Sequence, residues 1–250
     1  MHRDRFLGSL TLAIAVVLLV AGVGVAVAYD ATRPPRSVPQ GPQEARAVTA
    51  EAPAAPVQGA AVQDPYVPAA EWISTTSAAT GIPPRALTAY ARANLRITAE
   101  QPDCRVGWTT IAALGGIESA HGSTGGSVLG EDGWPRPAIV GPALDGGDFG
   151  VVHDSDGGAL DGDTTWDHAV GPLQFIPSTW ERWGADGNND GTADPGQIDD
   201  AALAATRYLC HSGDLGVAEV WRRAIFSFNH SDVYVADIAA LANAYAARVS

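Results

Sequence analysis

From position 65 onward, apolar residues recur at i, i+3 and i+4, and the punctuation between the runs is that of helices. The pattern predicts a first helix from Ala69 to Thr80, stopped by Gly81. Pro83-Pro84 then supplies the N1 proline of a second helix running towards Gln101. A third spans Trp108 to His121 and ends at Gly122, with Leu173–Trp183, Asp199–His211, Leu215–Phe228 and Val233–Arg248 following. Alternating β-branched runs are scarce. Between Gly122 and Thr165 lies a long Gly- and Asp-rich stretch, read as a loop with room for a short hairpin. The expectation is a single, mostly α domain over 65–250.

The N-terminal quarter has a different pattern. Phe6 to Ala28 carries no charge, and about 20 apolar residues suffice to span a bilayer as a helix. Arg3 and Arg5 precede the stretch and Asp30 follows it, which keeps the N-terminus inside and sends the remainder out. Ala26-Val27-Ala28 also fits a cleavage site, so residues 1–29 read as a signal anchor or a signal peptide. The bulk of the chain is expected outside the cytoplasmic membrane, tethered by a single span, or secreted after cleavage. Residues 30–64 read as a disordered Pro/Ala-rich linker: Pro34, Pro35, Pro39, Pro42, Pro53 and Pro56 recur there, and no aromatic falls between Tyr29 and Tyr66.

Composition narrows the partners. Of 250 residues, 28 are acidic against 15 Lys plus Arg, a formal charge of −13, which argues against nucleic acid because phosphate binding needs a basic face. Hydrophobic residues make up 46% and charged ones 17%, enough apolar surface to build a core. A monomer is expected. The two cysteines cannot form a four-ligand zinc site, and outside the cytoplasm they are expected to pair as Cys104–Cys210.

Four segments could carry chemistry. In Gly116-Ile117-Glu118-Ser119-Ala120-His121-Gly122, Ile111, Leu114 and Glu118 share a helix face, so Glu118 projects from an apolar side in the last turn. Burial and the negative end of the helix dipole both raise its pKa, as a general acid near neutral pH requires. The same glutamate could instead simply pair with His121 at i+3 or with an arginine. In Gly171-Pro172-Leu173-Gln174-Phe175-Ile176-Pro177, two prolines flank an amide that could face a cleft and pair with sugar hydroxyl or acetamido groups; equally, the stretch could be a helix start with core aromatics. In Asp186-Gly187-Asn188-Asn189-Asp190-Gly191-Thr192, oxygen side chains at positions one, three and five precede a glycine at six, the opening of an EF-hand-type calcium loop. Asp186, Asn188, Asp190 and the Thr192 carbonyl would be ligands. The twelfth position is Gln197 rather than Glu, so Asp199 or Asp200 would close a longer loop around a structural calcium; the alternative is a solvated acidic turn. Finally, Asn229 and Tyr234 sit where a helix ends in an aromatic-rich turn, as cleft residues or as caps and packing.

There is no HExxH, Walker loop, GxGxxG or GxSxG, and His121, His153, His168, His211 and His230 show no paired metal spacing.

Taken in order, Glu118-Ser119, GPLQFIPSTW, DGNNDGTADP and FNHS followed by Tyr234 resemble the lytic murein transglycosylases of the membrane-bound B type, in their actinobacterial form. The resemblance covers roughly Trp108 to Tyr245 and is weakest in the Gly/Asp loop. It implies a lysozyme-like, transglycosylase SLT-type domain acting on peptidoglycan glycan strands between N-acetylmuramic acid and N-acetylglucosamine. It implies Glu118 as the single acid/base and Ser119, Gln174, Asn229 and Tyr234 as substrate contacts. It further implies Asp186, Asn188, Asp190, Thr192 and Asp200 as calcium ligands, and no organic cofactor. Cleavage by one carboxyl would form a 1,6-anhydro product. The Asp residues of 131–167 could supply a second carboxyl for a lysozyme-type hydrolase, and a non-catalytic wall-binding module is a third reading.

Overall fold

The computed structural model describes residues 64–147 and 150–249. The expected N-terminal anchor and all but the last residue of the linker lie outside the described residues. Among those described, no helix is long and apolar enough to cross a membrane.

Seven α-helices dominate, so the mostly helical expectation holds: α1 (Ala70–Thr80), α2 (Pro84–Glu100), α3 (Trp108–Ser119), α4 (Pro177–Trp183), α5 (Ile198–Cys210), α6 (Ala218–Phe228) and α7 (Asp232–Arg248). Their boundaries have local causes. Gly81, at φ 79°, ends α1 by donating its N–H to Ser77 O. Pro84 opens α2 where its missing N–H would have had no partner. Gln197 Oε1 caps α5 by accepting from the N–H groups of Asp199 and Asp200, and Ser231 Oγ caps α7 by accepting from Tyr234 N–H.

The core lies where α2 packs on α5 and α3 on α7, with Tyr90, Ile97, Ile111, Leu114, Leu203 and Ile238 among its fully buried side chains. In α3 every residue from Trp108 to Gly115 is buried, so this helix is central and covered on all sides. The expected single apolar stripe through Ile111, Leu114 and Glu118 is therefore not what sets Glu118 apart. Glu118 is reached where α3 leaves the core. A disulfide between Cys104 and Cys210, with Cα atoms 5.3 Å apart, ties the chain after α2 to the end of α5. Closing a loop of 106 residues stabilises by about 4 to 5 kcal/mol in a chain-entropy treatment.

Three helix boundaries differ from expectation. Residues 173–176 are not helical: Val170 and Phe175 pair as an antiparallel bridge around the Gly171–Gln174 turn, and α4 begins at Pro177. Helix α3 stops at Ser119 because Ala120 and His121 turn left-handed. Helix α6 begins at Ala218, since Leu215 N–H is committed to Cys104 O and Gly216 N–H to Asp214 Oδ1. The Gly/Asp stretch contains one small antiparallel pair, β1 (Val128–Leu129) with β2 (Pro135–Arg136), and a strand β3 (Val140–Ala143) that pairs antiparallel with β4 (His168–Val170) just beyond it.

Candidate active site

Glu118 sits at the end of α3, half-buried, and Tyr234 OH donates a hydrogen bond to its Oε1. Tyr234 is itself buried in the first turn of α7, where the Ser231 cap fixes its backbone. Burial pushes the Glu118 carboxyl up to about 7, while the Tyr234 hydrogen bond pulls the other way and loses. The phenol is held well above its usual range by burial and by the neighbouring carboxylate, so it remains a donor. Among the described residues Glu118 makes no ion pair with a histidine or arginine; the expected alternative, a pairing with His121, does not occur.

His121 instead points to two phenols. Tyr90 OH of α2 lies 3.2 Å from Nδ1 and Tyr245 OH of α7 lies 3.0 Å from Nε2. Burial lowers the imidazole to about 4. Room for this bridge comes from Gly115 and Gly116. A Cβ on Gly115 would stand 2.0 Å from Tyr90 OH, and one on Gly116 would stand 2.9 Å from Leu241 and 3.3 Å from Tyr245 OH. Two adjacent glycines inside a helix cost about 1 to 2 kcal/mol. That pair was the signal in the sequence that something bulky crosses α3 here.

Ser119, expected as a substrate contact, is buried, with its hydroxyl fully used. It donates to Pro172 O at 2.6 Å and accepts from Gly122 N–H at 2.8 Å. It thus ties the Glu118 end of α3 to the turn that carries Gln174. Gln174 occupies the left-handed region at φ 49°, its Nε2 donates to Gly171 O, and its Oε1 would be 2.9 Å from a Cβ on Gly141. A side chain larger than glycine at 141 would displace this amide. Asn229 is exposed at the C-cap of α6, five positions before Tyr234, and neither it nor Gln174 hydrogen-bonds to Glu118.

The Asp186–Asp200 segment is folded on its own oxygens. Asp190 N–H donates to Asp186 Oδ1 and Asn188 Oδ1, Gly191 N–H to Asp186 Oδ2, and Thr192 N–H to Asp190 Oδ1. Asp200 is buried, accepts from Gly187, Asn188 and Asp194 N–H groups, and is pushed up to about 6 by burial, with Asp186's charge adding to the rise. Asp199 faces away, paired to Arg85, so of the two candidates Asp200 is the one that meets the loop. Gln197 is the cap of α5, which accounts for its place at the loop's twelfth position. Asp186, Asn188 and Asp190 line the turn and Asp200 meets it from the start of α5. These oxygens are of the kind a hard divalent cation takes, but among the described residues the three carboxylates are held by backbone N–H groups and do not converge within 4.8 Å of one another.

The described Asp residues between 131 and 167 are spent locally. Asp132 pairs with Arg136, Asp154 Oδ1 accepts from the N–H groups of Asp156, Gly157 and Gly158, and Asp163 Oδ1 accepts from Thr165 and Trp166. The carboxylates of Asp154, Asp156 and Asp167 come within 4.8 Å of one another, with the buried Asp167 accepting from Ser155 N–H and Oγ. The sequence reading had not singled out this grouping.

Residues 151–216 match the family described as the transglycosylase SLT domain. The SLT segment contains the Gly171–Gln174 turn, α4, the Asp186–Asp200 loop and α5, whereas Glu118 and Tyr234 lie on either side of it. The chain is also similar to SltB3 from Pseudomonas aeruginosa, whose crystal structure is a complex with NAG-anhNAM-pentapeptide, at 17% identity and a TM-score of 0.38. That similarity covers 70% of this chain and 66% of SltB3. No curated protein matches the sequence.

Proposed function

We propose that this protein is a peptidoglycan lytic transglycosylase that cleaves the β-1,4 bond between N-acetylmuramic acid and N-acetylglucosamine with Glu118 as its one acid/base. The observation that carries the reading is the half-buried Glu118 carboxyl, raised to about 7 by burial and held at one oxygen by Tyr234. At that pKa the protonated and ionised forms are both populated near neutral pH, so one group can serve first as acid and then as base. The SLT match of residues 151–216 supports the same substrate class.

With Oε1 engaged by Tyr234, Oε2 is the oxygen available for proton traffic. Protonated Glu118 gives its proton to the glycosidic oxygen as the C1–O4 bond breaks, leaving an oxocarbenium-like muramyl centre. The resulting carboxylate, steadied by the Tyr234 hydrogen bond, takes the proton from the sugar's own C6 hydroxyl as O6 bonds to C1. The 1,6-anhydro ring forms, Glu118 returns to its acid form, and no water is consumed. Gln174 and Asn229 are proposed to bind glycan polar groups, while Ser119 acts from behind by fixing the Gln174 turn against α3. The commitment of Asp132, Asp154 and Asp163 to salt-bridge and turn bonds argues against any of these three as the second carboxyl of a hydrolase.

Asp186, Asn188, Asp190, the Thr192 carbonyl and Asp200 would hold a calcium ion. There it would screen three carboxylates and brace the junction of α4 and α5. Residues 1–29 would place the domain outside the cytoplasmic membrane.

Mass spectrometry of material released from purified sacculi tests the reading. The expected products end in an anhydro sugar, lighter than a reducing end by one water, and Glu118→Gln releases none. Reducing-end products would instead mean a hydrolase, and sacculus binding without release would mean a binding module.

A further inference from the structure

Helix α3 ends in three successive left-handed residues, Ala120, His121 and Gly122, of which only the last is a glycine. Strained backbone of this kind persists where the surroundings over-determine it, and here the over-determining contact is the His121 ring. The turn folds that ring back under the helix end, between Tyr90 of α2 and Tyr245 of α7. A neutral imidazole has one donor and one acceptor nitrogen, and each phenol can play either part, so both ring nitrogens are satisfied in either tautomer. Helix α7 therefore grips the end of α3 twice, through Tyr245 on His121 and through Tyr234 on Glu118.

We propose that His121 is a positioning residue, which through its bridge to Tyr90 and Tyr245 holds the end of α3 so that the Glu118 carboxyl stays in its water-poor seat against Tyr234. The inference rests on Glu118 being the working carboxyl, as proposed above. Facing Glu118 is the Tyr234 phenol; facing His121 are the phenols of Tyr90 and Tyr245, with Arg248 acting on Tyr245. Among the described residues no carboxylate forms an ion pair with His121, and burial keeps its ring neutral over the working pH range.

The test uses the full chain labelled with 13C at glutamate carboxyls, the Glu118 signal being assigned by its loss in Glu118→Gln. His121→Asn keeps a residue that tolerates a left-handed backbone and leaves at most one phenol bonded. Tyr245→Phe removes one hydroxyl and nothing else, so it covers the case in which the histidine variant does not fold. Both should admit water, move the Glu118 titration midpoint down towards the ordinary carboxylate range, and lower kcat on sacculi by about 10- to 100-fold with KM changed less than about twofold. A Glu118 midpoint unchanged in both folded variants overturns the proposal, whatever happens to melting temperature. If the midpoint moves but the unmodified protein releases no glycan product, the positioning role stands and the enzymatic reading is the one that fails.

Discussion

Glu118 and Asp132 show what the same functional group becomes in two settings. Asp132 is exposed, bonded to Arg136, and held at about 2 by that guanidinium. Glu118 has no cation paired to it among the described residues, is half-buried at a helix end, and is pushed up to about 7. The first is ionised at every physiological pH and can only scaffold a loop; the second changes state near neutrality. Of the chain's 28 acidic residues, most of those between 131 and 167 resemble Asp132 in being engaged, usually by nearby backbone N–H groups. Burial without a counter-charge, rather than acidic composition, is what makes a carboxyl capable of acid/base work here.

The largest expected effect is that of Glu118→Gln, which removes proton transfer while keeping shape. Release of soluble glycan from sacculi should fall by at least about 10²-fold with unchanged circular dichroism; residual activity within tenfold of the parent would erase the distinction between the two carboxyls. Tyr234→Phe comes next. Its hydroxyl stabilises the ionised form, so removing it should raise the Glu118 midpoint above 7, shift the pH–activity profile upward, and lower kcat by about tenfold, as read from initial rates across pH 5 to 9.

Stability gives a third measure with a definite sign. Because the folded-state pKa of Glu118 lies above its ordinary 4.5, this group's contribution to stability is fully present below about 4.5 and is lost as pH rises through about 7. In urea titrations, Glu118→Gln should therefore gain on the parent over that window by up to about 2 to 3 kcal/mol, a difference absent at pH 4. Stripping divalent cations with a chelator should lower the melting temperature of the parent, with recovery on adding calcium, and Asp200→Asn should blunt that response. The smallest effect is expected from Asp163→Asn. The amide oxygen can still accept from Thr165 and Trp166 N–H groups, so activity should stay within about twofold and stability within about 1 kcal/mol.

Much of this fold was legible because its helices begin and end on residues with local reasons, Gly81 and Pro84 among them, and because two cysteines allow only one pairing. The misread boundaries are those where tertiary contacts override local preference. Gln174 adopts a left-handed backbone inside a turn that sequence spacing presents as helix. Ala120 and His121 do the same at the end of α3, with His121's ring held by tyrosines 31 positions earlier and 124 later. The site was legible in part. Glu118 stood out by its place at the end of an apolar helix; Tyr234 stood out by its aromatic-rich turn, but its pairing with Glu118 was not legible, since no periodicity joins residues 116 positions apart. Ser119 looked like a surface hydroxyl of the site, and only the packing of the Pro172 carbonyl over it reveals a structural tie.

The most direct measurement is the titration of the Glu118 carboxyl in the unmodified full chain, followed by 13C NMR. A midpoint near 7 would place the proton where a single group can both donate and recover it at the pH of the cell wall. A midpoint near 4.5, the value of a glutamate in open water, would contradict the water-poor seat on which the catalytic reading depends.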